Sequence, residues 1–191
     1  MKGVYIFLAE GFEDIEALAC CDALRRGGVE VQLVSVTGEL AVRSSHGVSV
    51  QADMLLEDCD NSCEDIGEQD VMIFPGGMPG SKTLASNEKL MLWMKEHYAK
   101  GGAVAAICAA PGLVLSQLDE LKGHRLTCFE GFQHSFVEKG AEYLPLPAVR
   151  SGRIVSGRSA AYAVDFGLEV LGMIAGEQKA EQVRKAMHSV C

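Results

Sequence analysis

Positive charge is scarce in this chain: 17 Lys and Arg stand against 26 Asp and Glu in 191 residues, a formal net charge of −9 at pH 7. No dense Lys/Arg stripe offsets that balance, which counts against nucleic acid, a partner that needs positive charge on one face. Long apolar runs are missing too; none approaches the roughly 18 to 20 residues that a membrane helix needs. The apolar N-terminus, Met1 to Leu8, leads into Glu10, Glu13 and Asp14 without a small-residue cleavage site. It is therefore expected to be a buried strand, and the protein to be cytoplasmic with no membrane partner. Aromatic residues make up only 6% of the chain and Trp93 is its one tryptophan; sharing a helical face with Leu90 and Met94, it reads as core packing. No repeat, low-complexity tract or linker interrupts the sequence, so one domain, 1–191, is expected.

What is present is an odd number of cysteines, 7, with Cys20 and Cys21 adjacent. That pattern does not suit a disulfide framework, and reduced thiols are expected. Cys59 and Cys63 lie in the acidic stretch Asp58 to Asp65, expected at the surface. The pair could hold a metal or a reversible disulfide, but no second Cys/His pair lies close by in sequence, and no metal is assigned.

Hydrophobic periodicity predicts alternating strands and helices. Val4 to Leu8 reads as a strand, Phe12 to Arg26 as a helix with Ile15, Leu18 and Ala19 on one face, and Val29 to Val34 as a strand after Gly27-Gly28. Leu40 to Met54 alternates around Gly47 as an extended segment or hairpin at an edge. Val71 to Phe74 and Ala103 to Ile107 read as buried strands, with a helix from Glu88 to Tyr98 between them. Arg125 to Cys128 and Arg153 to Ser156 read as short strands, and Ala161 to Ile174 and Lys179 to Met187 as closing helices. Such alternation implies an α/β fold with a mainly parallel sheet, ligands sitting at the carboxyl ends of its strands.

Cys108 ends one of these strands and precedes Ala109-Ala110-Pro111-Gly112, which reads as a helix start. A strand turning sharply into a helix lifts a nucleophile out of the sheet and sets it beside unpaired N–H groups, which favour the thiolate. A free cysteine among small apolar residues is, equally, a common piece of core. Glu16 falls in the first helical turn after the first strand. If it faces Cys108, burial would keep it protonated and able to donate a hydrogen bond to sulfur. Glu13 and Asp14 read as ordinary helix-end acids, and Gly76-Gly77 after Phe74-Pro75 reads, by itself, as a tight turn.

Four segments, Glu10-Gly11-Phe12-Glu13-Asp14-Ile15-Glu16, Phe74-Pro75-Gly76-Gly77, Ala105-Ala106-Ile107-Cys108-Ala109-Ala110-Pro111 and Asp165-Phe166-Gly167-Leu168-Glu169, resemble the ThiJ/PfpI superfamily. Within it, the resemblance is to the branch of the Parkinson's-disease-associated protein deglycase and its bacterial relatives. The resemblance implies a flavodoxin-like three-layer sandwich with a nucleophile elbow at Cys108, Glu16 as its protonated partner, and a homodimer. It also implies backbone N–H donors for an oxyanion in the Gly76, Gly77, Met78 loop and at Ala109. The chain departs from relatives at several positions. Ala109 stands where the peptidase branch has histidine, Phe129 follows Thr127-Cys128 where the human-type deglycase has a nearby histidine, His46 stands where an arginine is frequent, and Arg158-Ser159-Ala160-Ala161 replaces Arg-Gly-Pro-Gly.

Among the 5 histidines, His97, His124 and His188 read as solvated surface residues, His134 as a loop residue near the pocket, and His46 as a dimer contact. The expected function is a cofactor-independent deglycase or glyoxalase acting on methylglyoxal, glyoxal or their early adducts through Cys108. The alternatives are a redox-sensing chaperone using the same oxidisable thiol and, more weakly, a PfpI-type peptidase or amidase.

Overall fold

A computed structural model describes residues 1–60 and 64–188. In chain order its elements are β1 (Val4–Leu8), α1 (Asp14–Arg26), β2 (Val31–Ser35), β3 (Ala41–Arg43), β4 (Ser49–Gln51), β5 (Met54–Leu55), β6 (Val71–Phe74), α2 (Gly80–Ser86) and α3 (Glu88–Ala99). They continue with β7 (Ala103–Ile107), α4 (Ala110–Leu113), β8 (Arg125–Leu126), α5 (His134–Val137), β9 (Glu142–Tyr143), β10 (Ala148–Ser151), β11 (Ile154–Gly157), α6 (Ala163–Ala175) and α7 (Glu177–Ala186). The main sheet has 7 strands in the order β10-β11-β7-β6-β1-β2-β5. All neighbours are parallel except β10 and β11.

The strands are apolar throughout because both faces of the sheet are covered. Their period of two divides each between two cores: Ile6, Leu8, Ile73, Ala105 and Ile107 join α1, α6 and α7 on one side. Phe7, Val34, Met72, Phe74, Val104 and Ala106 join α3 and α4 on the other. This is the three-layer sandwich implied by the resemblance.

Several local expectations are corrected. Helix α1 buries Glu16, Ala17, Cys20, Cys21, Ala23 and Leu24, whereas Ile15 and Leu18 are 54% and 36% exposed. Size explains the choice: a Cβ at Gly167 of α6 would lie 3.0 Å from the Cys20 Cα, so the helices meet through small residues. The helix after Cys108 is a single turn, Ala110–Leu113, followed by a 3₁₀ turn at Leu115–Gln117, too short for an appreciable dipole. The extended segment or hairpin expected over Leu40 to Met54 does form, as the antiparallel β3–β4 hairpin in a sheet of its own, with Met54 opening β5 at the edge of the main sheet; Cys59, by contrast, is buried within its largely exposed acidic stretch. Cys63 lies outside the described residues.

His97 is fully buried, not solvated. Its Nε2 lies 3.0 Å from the Asp70 carbonyl and 3.1 Å from that of Ala103, and its Nδ1 lies 3.4 Å from the Met1 amine. Burial, helped by that amine's charge, pushes its pKa down to about 4. His124 is tethered through Nδ1 to the Ser151 hydroxyl at 3.1 Å, while His188 is exposed. Trp93 is half-buried against the core, with Lys89 Nζ 4.6 Å above its ring.

Candidate active site at the Cys108 elbow

The chain leaves β7 at Cys108 with φ of 65°, a left-handed conformation rare for a residue with a side chain. Two backbone bonds hold it there: Cys108 N donates to the Gly157 carbonyl at 2.9 Å, and Phe129 N donates to the Cys108 carbonyl at 2.8 Å. A strained residue over-determined by its neighbours is a marker of function. Of the described cysteines, Cys20, Cys21, Cys59 and Cys128 are buried, whereas Cys108 is partly accessible.

Glu16 reaches the elbow from α1. Its Oε2 accepts from Gly76 N at 2.8 Å, and its buried Oε1 has no hydrogen-bond partner within ordinary geometric limits among the described residues. Burial, reinforced by the charge of Glu13, pushes the Glu16 carboxyl up to about 7, against the opposing pull of the Cys108 thiol and the Gly76 N–H. Gly76 lets the two side chains meet, since a Cβ there would lie 2.4 Å from Glu16 Oε2 and 2.6 Å from Cys108 Cβ. At Gly77, φ is +87° and a Cβ would lie 2.4 Å from Glu13 N. The two glycines therefore serve close approach as well as a turn.

The thiolate expectation is corrected. Burial and the adjacent Glu16 push the Cys108 thiol up to about 12, although the Ala109 and Gly77 N–H groups pull the other way. The apolar site resists a second negative charge beside the first. A thiolate thus forms most readily when Glu16 carries the proton, because the ionisation of each group opposes that of the other.

The other expected residues lie around this pair. Met78 projects to solvent, 42% exposed. Phe129 and Arg158 line an open depression of about 370 Å³ with Glu130, Ser159, Ala161 and Tyr162; Arg158 Nη1 donates to the Pro145 carbonyl at 3.2 Å. His134 is exposed at the start of α5, and no hydrogen bond or ion pair joins it to Cys108. His46, on the hairpin, lies with Nδ1 2.9 Å from Asp14 Oδ1 and 3.7 Å from Glu13 Oε1. Ligand-type atoms of these three residues fall within 4.8 Å of one another, and their contacts are those of an ion-paired helix start.

Glu13 is the helix-end acid read from the sequence, and its burial and its link to Glu16 are what that reading missed. It is buried, and its side chain caps α1 by accepting from Glu16 N at 2.7 Å. The signal was available: an N-cap acceptor three residues before a glutamate is the spacing of a capping box.

A DJ-1/PfpI family model matches residues 2–173. Protein DJ-1 homolog A of Arabidopsis thaliana is 33% identical over 182 residues, 95% of this chain and 45% of that protein. The chain spans less than half the length of the two Arabidopsis relatives, 45% and 40%. Glutathione-independent glyoxalase DJR-1.2 of Caenorhabditis elegans is 29% identical, with 93% and 91% of the two chains covered. Among solved structures, oxidized Toxoplasma gondii DJ-1 superposes with a TM-score of 0.88 at 28% identity over 100% of both chains. Drosophila melanogaster DJ-1beta gives 0.86 at 28% identity, covering 100% of this chain and 99% of that one. By sequence over most of its length and by fold over all of it, the chain belongs to the DJ-1/PfpI family.

Proposed function

We propose that the protein is a cofactor-independent glyoxalase, or a deglycase acting on the early adducts of dicarbonyls, that works as a single-domain unit in a homodimer in the cytoplasm. The meeting of Cys108 with the buried Glu16 carboxyl across Gly76 carries this reading. It is supported by the glyoxalase name of the Caenorhabditis relative.

In this reading the Cys108 sulfur attacks the aldehyde carbon of methylglyoxal. As the C–S bond forms, the thiol proton passes to Glu16, the carbonyl π pair moves to oxygen, and the oxygen takes that proton back from Glu16 to give a hemithioacetal, leaving Glu16 as a carboxylate. The Gly77 and Ala109 N–H groups, which favour the charged form of the sulfur, would also stabilise the developing oxyanion. Glu16 then relays a proton from the aldehyde carbon to the neighbouring carbonyl carbon through an enediol, leaving a thioester of lactate. Water cleaves the thioester to release lactate and restore the thiol, so methylglyoxal plus water gives lactic acid with no external oxidant or reductant.

Purified protein should form lactate from methylglyoxal without glutathione, in a buffer free of Tris, and Cys108→Ala and Glu16→Gln should each abolish the reaction. An inactive wild type, or a Cys108→Ala protein of equal activity, would remove the proposal. If turnover is absent and mild peroxide adds two oxygens at Cys108 alone, the redox-sensor reading takes its place.

A further inference from the structure

In a closed capping box the glutamate three residues into the helix turns back to the N-cap N–H. Here both halves of that exchange are redirected to one loop residue. Glu13 N donates to the Gly76 carbonyl at 3.0 Å, and Glu16 Oε2 accepts from Gly76 N at 2.8 Å. The Glu13 side chain still caps Glu16 N at 2.7 Å. Gly76 has therefore replaced the box partner, and the glutamate freed by that replacement is the one that faces Cys108.

We propose that Glu13 is a positioning residue for the Cys108–Glu16 pair: its backbone N–H anchors the Gly76 loop and its side chain caps Glu16 N, so that together they aim the Glu16 carboxyl at the elbow. Burial is the main reason the Glu16 carboxyl is raised, and the nearby Glu13 charge adds to it. The inference rests on reading Cys108 and Glu16 as the working pair and is independent of the substrate. Asp14 and Glu16 face Glu13 on α1. Glu10 precedes it and accepts from Arg43 N at 3.2 Å, and Cys108 lies beyond Glu16. From the hairpin come Arg43, whose guanidinium lies beside Gly47, and His46, a cation when protonated, whose ring approaches Glu13 at 3.7 Å. A protonated His46 offsets the Glu13 charge from the solvent side; the exposed hairpin thus tunes a buried acid with which it makes no hydrogen bond.

The test is a titration of Glu16 by the ¹³C shift of its labelled carboxyl, assigned by its loss in Glu16→Gln. Glu13→Gln keeps an oxygen to cap Glu16 N but removes the charge, so the Glu16 midpoint should fall by at least about 0.5 pH unit, a roughly threefold change in its ionisation constant. His46→Ala leaves the cap intact and should move the midpoint the other way. A folded Glu13→Gln protein with an unchanged Glu16 midpoint would overturn the proposal. If Glu13→Gln does not fold, an unchanged or lowered midpoint in His46→Ala would overturn it. Because the readout is a carboxyl titration, opposite shifts in a protein that fails to turn over methylglyoxal would count against the glyoxalase reading alone.

Discussion

Gly76 occupies a gap with no room for a methyl group. The atoms a side chain would strike are the reactive ones, Glu16 Oε2 at 2.4 Å and Cys108 Cβ at 2.6 Å. Gly76→Ala should wedge the pair apart while leaving the sheet intact, with kcat/KM for methylglyoxal falling by about 100-fold, the usual consequence of a misplacement near 1 Å. Steady-state kinetics beside an unchanged circular dichroism spectrum would check this; an alanine variant with full activity would show that the contact is not needed. At this scale much of the site was legible. Cys108, Glu16 and the glycine loop were each singled out from their place at strand ends, where a parallel sheet puts its ligands. The sulfur's ionisation was not legible, because it depends on how deeply the tertiary structure buries Cys108 and on the carboxyl of a residue 92 positions away set beside it.

Helix α1 faces two ways. Its inner stripe of Ala17, Cys20, Ala23 and Leu24 meets α6, and its outer side leaves Ile15 54% and Leu18 36% exposed, near a hairpin that exposes Val48 by 46%. Backbone contact between Ser45 N and the Phe12 carbonyl at 2.8 Å joins hairpin and helix start, and the two elements together expose Ile15, Leu18, Val48 and His46 as a candidate surface. A second copy of the chain is the occupant proposed for it, and Ile15→Lys combined with Leu18→Lys should convert a dimer into a folded monomer by sedimentation velocity. An unchanged sedimentation coefficient would place the dimer contact elsewhere. Periodicity could not tell the two faces apart, because both repeat at helical spacing. The small residues win the interior because α6 comes close enough at Gly167 to exclude larger ones.

For the whole molecule, two buried groups pull the pH dependence of stability in opposite directions. His97 has an ordinary value of 6.5 that folding lowers to about 4, so its stabilising neutral form is lost as pH falls from 6.5 towards 4. Glu16 has an ordinary value of 4.5 that folding raises to about 7, so its contribution is present below 4.5 and is lost as pH rises towards 7. Each is worth about 3 kcal/mol across its window, and between pH 4.5 and 6.5 the two slopes nearly cancel. Urea unfolding should show Glu16→Gln gaining stability steadily with pH in that window and His97→Gln losing it, with the wild type flatter than either. Parallel slopes in all three proteins would refute this balance.

Composition and pattern alone determined the alternating α/β order, the buried parallel strands, an extended or hairpin segment around Gly47 and the place of Cys108 at a strand-to-helix turn, because each follows from local periodicity or from a turn that only certain residues can make. Tertiary structure decided what depends on distant neighbours: which face of α1 is inside, why His97 is buried between Asp70 and Ala103, and which carboxylate is a cap and which an acid. Burial and charge at a site are sums over atoms brought together from α1, the Gly76 loop and the end of β7, and no single stretch of sequence contains them.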